Sequence, residues 1–265
     1  MKLGQNLGIA LDGIKANKLR AALTMLGIII GVAAVIVLMS IGSGTQAQVT
    51  SRISSLGSNL IFIRPGGAPQ QGGVRQAQGS AATLTLEDAD ALGASDAVPG
   101  VLAVSSEVSS RSQVVFSNIN TNTSIRGVDE RYLGVRNYQL DEGDFFTKSQ
   151  MDTRGLVAVL GASVTNTLFP EGGAVGRNIR INRTQFRVIG TLVSKGGSGA
   201  GLEDDVVMVP ITTHMTRLSA QRSLKGGRSV GTINVQVENE KLVADAKDGL
   251  AAVLRDRHRI TGDDD

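Results

Sequence analysis

The sequence has no cysteine and no tryptophan, and it holds only two tyrosines and six phenylalanines in 265 residues. Without cysteine, disulfide bonds, thiolate metal sites and cysteine nucleophiles are all excluded. So few aromatic rings also argue against a stacking platform for nucleic-acid bases. The stability of any folded domain must therefore come from an ordinary apolar core.

The sequence also has little net charge beyond Arg20. Lysine and arginine together number 27, against 24 aspartate and glutamate residues. Four of the cations and one of the anions lie in residues 1–20, so the remainder carries 23 of each sign. Because no basic stripe runs through this remainder, the charge pattern argues against binding to nucleic acid.

Several catalytic and cofactor motifs are absent. No Gly-Lys pair occurs, so there is no Walker A phosphate loop, and no G-x-S-x-G elbow occurs either. The only histidines are His214 and His258, which exclude an H-E-x-x-H site and are assigned structural or solvent roles. The acidic clusters at 203–205 and 263–265 lack the alternation of a calcium loop and are interpreted as solvated surface charge. We therefore expect no enzyme, metal site or cofactor in this chain.

A long uncharged run is the most informative positive feature. Residues 21–51 carry no formal charge, and residues 21–42 are almost wholly apolar. Since hydrocarbon about 30 Å thick requires about 20 helical residues, this run predicts a transmembrane helix at 21–42. A cleaved signal peptide is the competing interpretation, with Thr45-Gln46-Ala47 as a weak cleavage motif, although signal cores run only about 7–15 residues.

The charges that flank this run predict its orientation. Lys15, Lys18 and Arg20 lie on its N-terminal side, and positive flanks stay in the cytoplasm. Residues 1–20 also show apolar positions at helical spacing, which favours an amphipathic helix at the inner membrane surface over a short frayed tail. We therefore expect a cytoplasmic N-terminus and a main domain outside the membrane.

Small residues inside the run and apolar residues beyond it follow helical spacing. Gly27 and Gly31 stand in G-x-x-x-G spacing with Ala34 nearby, which predicts a helix-packing face, or else the ordinary tolerance of membrane helices for glycine. The apolar positions Val49, Ile53 and Leu56 predict a helical stalk at 43–58. A helix that is continuous over 21–55 would be about 50 Å long and would extend beyond the bilayer.

The rest of the chain predicts a mixture of helices and strands. Residues 65–82 are too poor in apolar side chains to pack. Thr85, with Asp88 three residues later, predicts a helix start. The remaining predicted strands are at 59–64, 101–108, 112–116, 123–128, 206–209 and 232–237, and Ser- and Asn-rich turns separate the strands at 101–108, 112–116 and 123–128. A hairpin is predicted over 178–192, with its turn near Asn182 and Arg183. Helices are predicted at 162–169 and 242–259.

Several stretches together resemble the MacB family of ABC transporter permeases, which is sometimes grouped with FtsX. They are NKLRAALTMLGIIIGVAAVIVLMSIGSG, LGSNLIFIRPG, IRGVDERYLGV, LDEGDFFT, VAVLGASVTNTLFP, VGRNIRINRTQFRVIGTL, DDVVMVP and LRDRHRITGDDD. The similarity runs from end to end and keeps the order of the elements.

This resemblance implies an α+β fold with one N-terminal transmembrane helix and a stalk. A mixed α/β extracytoplasmic "porter" part would follow at 59–127 and 222–258, with an inserted β-rich "sabre" part at 128–221. The family's permeases continue into three more membrane helices, so residues 259–265 would be a link to them and the chain would be truncated there. The short N-terminus resembles the permease-only members of the family, which pair with a separate ATPase.

The function that the resemblance implies is mechanotransmission in a bacterial plasma membrane. A partner ABC ATPase would bind ATP and Mg, a second permease copy would complete a homodimer, and in tripartite export pumps a periplasmic adaptor would join them. The alternative is a single-span, membrane-tethered binding or sensory module without transport. A membrane-anchored hydrolase is a more distant third interpretation, because no nucleophile with its partners was found.

Overall fold

The computed structural model describes residues 16–56, 59–66, 83–94, 98–196, 203–218 and 228–259. The chain divides into two compact units, Met1–Ile53 and Ser54–Asp265. Helix α1 has 39 residues, over Lys18–Leu56, and makes up most of the described part of the first unit. The predicted continuous helix over 21–55 is therefore confirmed.

Between residues 21 and 42 the surface of α1 is apolar around almost its whole circumference. Its leucine, isoleucine, valine and methionine side chains between residues 19 and 41 are more than half exposed. The hydroxyl groups of Thr24, Ser43 and Thr45 donate to main-chain carbonyls one turn earlier, so these polar groups are satisfied within the helix. By length and composition, Lys18–Gln46 qualifies as a membrane span, and it is the one such helix among the described residues.

The second unit is a mixture of strands and short helices, which confirms the α+β class. Its strands are β1 (Leu60–Ile63), β2 (Val101–Phe116), β3 (Ile119–Val128), β4 (Leu140–Gly143), β5 (Val157–Leu160), β6 (Asn178–Ile181), β7 (Thr184–Leu192), β8 (Val206–Pro210) and β9 (Thr232–Val237). Its helices are α2 (Leu86–Gly93), α3 (Tyr132–Val135), α4 (Lys148–Asp152), α5 (Ala162–Leu168), α6 (Ile211–Thr213), which continues into a π-helical turn (His214–Leu218), a 3₁₀ turn (Glu240–Leu242) and α7 (Val243–His258).

Six of the nine strands in the described part of the unit close into a barrel. The sheet order is β1-β9-β2-β3-β8-β5-β7-β4, and β6 pairs with both β2 and β7. The ring β2-β3-β8-β5-β7-β6 therefore returns to its starting strand. Alternate apolar side chains of its strands form one core with Val164 and Leu168 of α5, and the fully buried members of this core include Val114, Ile125, Leu160, Ile179, Ile181, Phe186, Val188 and Val207.

Two further cores flank the barrel. The open part of the sheet, made of β1, β9 and the first half of β2, packs Ile233 and Val235 against α2 and α7. Outside the barrel, Tyr132 of α3 and Phe146 cover Val206 and Met208 of β8. These two layers hold the helices α2, α3 and α7 in fixed positions on the sheet.

The predicted division of residues 101–116 into two strands was wrong. Residues 107–116 pair without a break with residues 119–128 of β3, so Ser109, Ser110 and Arg111 lie within one strand of 16 residues. The chain reverses at Ser117 instead, which has a φ of 53°. A run of small polar residues favours a turn only when no partner strand satisfies its main chain, and here β3 does so.

Other local predictions are confirmed. The hydroxyl of Thr85 accepts from the amide of Asp88, and the Asp88 carboxylate accepts from the amide of Thr85, which forms a capping box at the start of α2. Strands β6 and β7 form the predicted hairpin, and Asn182 in its turn has a φ of 54°. The predicted porter and sabre boundaries stay a prediction, since the sheet runs continuously through them.

Candidate functional site

The predicted topology anchors lie at the beginning of α1. Lys18 and Arg20 are exposed in its first turn, whereas Lys15 falls outside the described residues. A helix of this length spans about 58 Å, so these cations and Leu56 stand at opposite ends of a rod that is longer than a bilayer is thick.

The predicted packing face of α1 has no partner among the described residues. A Cβ atom placed on Gly27 or Gly31 would meet nothing within 4 Å, and Ala34 is exposed on the same side of the helix. Close packing of this face against a second helix therefore stays a prediction. The stalk residues Val49, Ile53 and Leu56 have helical backbone, and their side chains lie outside the described residues.

In the second unit, a buried carboxylate joins the start of α2 to the end of α7. Asp88 is 3% exposed. One of its oxygens accepts from Arg257 Nε at 2.9 Å and the other from His258 Nε2 at 3.0 Å. The same carboxylate accepts from the amide and hydroxyl of Thr85. We call Asp88, Arg257 and His258 the α2–α7 clamp.

The electrostatics of the α2–α7 clamp favour the ionised carboxylate. Burial alone would raise the pKa of Asp88, but hydrogen bonds from Arg257, His258 and Thr85 outweigh it and lower that pKa below its ordinary value. The Asp88 carboxylate also lies at the N-terminus of α2 and the Arg257 guanidinium at the C-terminus of α7, where each helix dipole favours the charge. The sequence predicted the capping role of Asp88 but not its partners, which are 169 and 170 residues away.

Strand β1 and helix α7 line a groove of about 580 Å³. Its floor is apolar, with Ile61 and Ile63 from the strand and Leu250 and Leu254 from the helix. These four side chains belong to the same core as Val235 of β9. The first strand of the domain and its last helix are therefore packed beside each other.

A second polar network centres on Arg126 of β3. Its guanidinium donates to the hydroxyl groups of Tyr132 and Tyr138 and to Glu203 Oε2, the last at 3.2 Å, and its Nε lies 3.6 Å from Glu107 Oε1. Tyr132 in turn donates to Glu107 at 2.8 Å. Attraction to Tyr132, Glu107, Tyr138 and Glu203 outweighs burial and raises the pKa of Arg126.

The interpretation of Glu203 as solvated surface charge was wrong. Its carboxylate bridges Arg126 and Arg136, at 3.2 and 3.1 Å, and accepts a hydrogen bond from Tyr138. Burial would raise the pKa of Glu203, but Arg126, Tyr138 and Arg136 lower it overall. The partners are 65 to 77 residues away in the chain, so no local pattern could indicate them.

The neighbouring acid Asp204 is also engaged. It accepts from the amide of Lys195 at 2.8 Å and from the hydroxyl of Ser194. Lys195 donates through Nζ to the carbonyl of Arg136 and lies over the ring of Tyr138. Burial lowers the pKa of Lys195 to about 8. The network therefore ties the chain after β7 to the chain before β8.

Ser110 and His214 form a pair that resembles part of a hydrolytic triad. Ser110 Oγ lies 2.8 Å from His214 Nε2, and the histidine is fully buried. However, within the described residues no carboxylate bonds the other ring nitrogen, so the third member of a triad is absent. Gly127 packs directly on this ring, where a Cβ atom would lie 2.4 Å from His214 Cβ. The pair is therefore a packed structural contact.

No group of three or more His, Asp or Glu side chains in the described part of the chain could hold a metal ion.

The polar networks that sequence reasoning missed share one signal. Each includes a charged residue at an apolar position of a strand or at a helix cap, as Arg126 is beside Ile125 and Val128. Such a charge requires a partner, although the sequence does not reveal which one.

The chain is similar to known proteins over nearly its whole length. Residues 21–253 match the family model of the MacB-like periplasmic core domain. The chain is 37% identical over 256 residues to the macrolide export ATP-binding/permease protein MacB of Chlorobaculum tepidum, and 36% identical over 247 residues to that of Bdellovibrio bacteriovorus. These matches cover 96% and 93% of the chain but only 38% and 37% of the relatives.

Solved structures show the same fold. The periplasmic region of MacB from Actinobacillus actinomycetemcomitans matches with a TM-score of 0.61 at 22% identity, over 78% of this chain and 87% of that one. The extracellular domain of the noncanonic ABC-type transporter YknZ from Gram-positive bacteria matches with a TM-score of 0.57 at 18% identity, over 75% and 95%. Because the family model matches residues 21–253, the chain belongs to the family of proteins with a MacB-like periplasmic core domain.

Proposed function

We propose that this chain is the first membrane helix and extracytoplasmic domain of an ABC transporter permease of MacB type. Family membership supports this proposal, together with relatives that are named macrolide export ATP-binding/permease proteins. Since the chain spans little more than a third of those relatives, the transport activity belongs to the proposal and the substrate is left open.

The observation that carries the proposal is the continuity of α1. One helix runs unbroken from Lys18 to Leu56, through the candidate span and through the described part of the predicted stalk. A continuous helix resists bending because its backbone hydrogen bonds are made within the helix. Movement of the span is therefore passed along the stalk without a hinge.

The packing inside the domain also supports this proposal. β1, the first strand after α1, lies beside α7, and the α2–α7 clamp holds the end of α7. In a permease whose chain returns to the membrane after α7, the entrance and exit of the domain would lie together. The packing of the domain would then hold its two ends close to each other.

The proposed assembly has three other components. A partner ABC ATPase would bind and hydrolyse ATP with Mg, a second permease copy would pack on Gly27, Gly31 and Ala34, and a periplasmic adaptor would receive the substrate. The N-terminus would face the cytoplasm of a bacterial cell, with Lys15, Lys18 and Arg20 as anchors. The domain would face the periplasm or the exterior and would itself perform no catalysis.

A helix break in the stalk tests this function. Proline inside a helix costs about 3 kcal/mol and kinks it, so Val49→Pro should abolish ATP-driven export while Val49→Ala preserves it. Export is measured in cells that produce the full permease and its ATPase, and membrane abundance is measured by immunoblot. Intact export by the proline variant at normal abundance would refute transmission through the stalk.

A further inference from the structure

One wall of the barrel carries exposed positive charge, and the single acid on its strands, Glu107 of β2, is already paired with Arg126 and Tyr132. Strands β3, β2, β6 and β7 are neighbours in that order and form this wall. Five exposed arginines lie on it or at its margin, and we call them the arginine wall: Arg111, Arg177, Arg180, Arg183 and Arg187.

The strand register places the central arginines on one outward face. Arg180 is opposite Val115 of β2 on one side and Gln185 of β7 on the other. Arg187 is opposite Asn178, so Arg180 and Arg187 are diagonal neighbours, with about 7 Å between them. Like charges on neighbouring strands repel each other, so this arrangement does not stabilise the sheet electrostatically.

The strands of the wall supply no anion that could neutralise these arginines. Residues 108–128 and 172–192, which hold all five of them, contain no aspartate or glutamate. Within the described residues none of the five arginines makes an ion pair. The exposed acids of β4 lie further along β7, since Glu142 is opposite Thr191 and thus about 13 Å beyond Arg187. The net charge of the domain is therefore close to zero, but its positive and negative charges are unevenly distributed over its surface.

The composition of the wall indicates the chemistry of its partner. Every cation on it is arginine, whose planar guanidinium pairs with a carboxylate through two parallel hydrogen bonds. Arginine is enriched in protein interfaces and lysine is depleted. The outward faces at 109–128 and 177–187 expose no large apolar side chain that could insert into a membrane and no aromatic ring that could stack on a base.

We propose that the arginine wall docks an acidic segment of a second protein, through carboxylates paired with Arg180, Arg183 and Arg187. Four strands about 4.8 Å apart offer a surface of only a few hundred Å², which is the size of a transient interface. Such a contact forms quickly by electrostatic steering and weakens steeply with salt. Binding of an acidic segment to the arginine wall requires no nucleotide. A negative result in a binding test is therefore distinct from a failure of ATP-driven transport.

The test uses a short fluorescein-labelled peptide of poly-L-glutamate as the probe. It is titrated with the full chain in nonionic detergent, and fluorescence anisotropy is measured at two salt concentrations. The variant with Arg180→Gln, Arg183→Gln and Arg187→Gln should bind at least about tenfold more weakly. The matched control removes three exposed positive charges elsewhere, with Lys148→Gln, Lys241→Gln and Lys247→Gln, and should change the affinity less than about twofold.

A third variant, with lysine in place of the same three arginines, keeps the charge but loses the paired hydrogen bonds. It should bind several-fold more weakly than the natural chain. Equal loss of binding in the glutamine variant and its control would overturn the proposal, as would full affinity in the lysine variant. Thermal unfolding confirms that each variant is folded.

Two further probes test the class of the partner. They are vesicles of phosphatidylcholine mixed with anionic phosphatidylglycerol, and a short single-stranded DNA. We expect the glutamine variant to bind both as the control variant does. If either probe binds through the three arginines more tightly than polyglutamate does, the partner is not an acidic protein segment and the proposal is wrong.

Discussion

Asp88 and Arg257 are 169 residues apart in the sequence and 2.9 Å apart in the structure. This ion pair closes the domain, because it joins the start of α2 to the end of α7. The carboxylate is buried while the guanidinium is partly exposed, so the pair is less costly to form than one with both charges desolvated.

Removal of the buried carboxylate should destabilise the domain. Asp88→Ala removes the carboxylate half of the capping box of α2 and leaves Arg257 and His258 without their acceptor, and we expect a loss of about 2–4 kcal/mol in the free energy of unfolding. Asp90→Ala, at an exposed position of the same helix, should change it by less than about 0.5 kcal/mol. Urea unfolding in detergent, followed by circular dichroism, measures the free energy of unfolding of both variants. Equal losses in the two variants would show that the α2–α7 clamp does not contribute to the stability of the domain.

His214 should make the domain sensitive to acid. Burial lowers its pKa from 6.5 to about 4, so between these values the unfolded chain binds a proton that the folded chain does not. Stability from this group is full above pH 6.5 and is lost as the pH falls toward 4, by up to about 3 kcal/mol. Unfolding of His214→Gln across this range should show a shallower dependence, and an unchanged slope would contradict the assignment.

Glu203→Gln should weaken the network around Arg126. The substitution removes the anion that lies between Arg126 and Arg136, and since Glu203 is partly exposed we expect a loss of about 1–3 kcal/mol. Attraction to Glu203 also raises the pKa of Lys195, so this variant should react faster with an amine-specific reagent at Lys195 near pH 8. Exposed Glu142→Gln is the control, and peptide mapping identifies the labelled lysine.

A large side chain at Gly31 tests the predicted packing face of α1. Gly31→Leu should reduce the yield of cross-linked permease dimer, because leucine would keep the backbones of two helices apart. Leu38→Ile, at an exposed position of the same helix, is the matched control. Unchanged dimer yield and unchanged export in the glycine variant would remove the packing prediction.

The absence of cysteine allows a clean test of orientation. Single cysteines at exposed Asn17 and Ser149 can be labelled without background from the natural chain. A membrane-impermeant maleimide applied to spheroplasts should label Ser149→Cys at once and Asn17→Cys only after permeabilisation. The reverse pattern would show that the positive flank faces outward.

Local patterns predicted much of this structure. The apolar run predicted α1, Thr85 with Asp88 predicted the start of α2, and alternation over 178–192 predicted the β6–β7 hairpin, because each depends on neighbours in the chain. Closure of the barrel depends on the pairing of Val114 with Ile181, which lie far apart in the sequence, and no local pattern encodes it. The partners of Glu203 were missed for the same reason.

Strand β2 takes part in both halves of the sheet, since its first residues pair with β9 and its later ones with β3 and β6. A force along this strand would act in shear on all the hydrogen bonds to its neighbouring strands at the same time. A hairpin that is pulled apart from its end instead loses its hydrogen bonds one after another. We therefore expect a force applied along β2 to be transmitted to the far side of the barrel before any strand separates from the sheet.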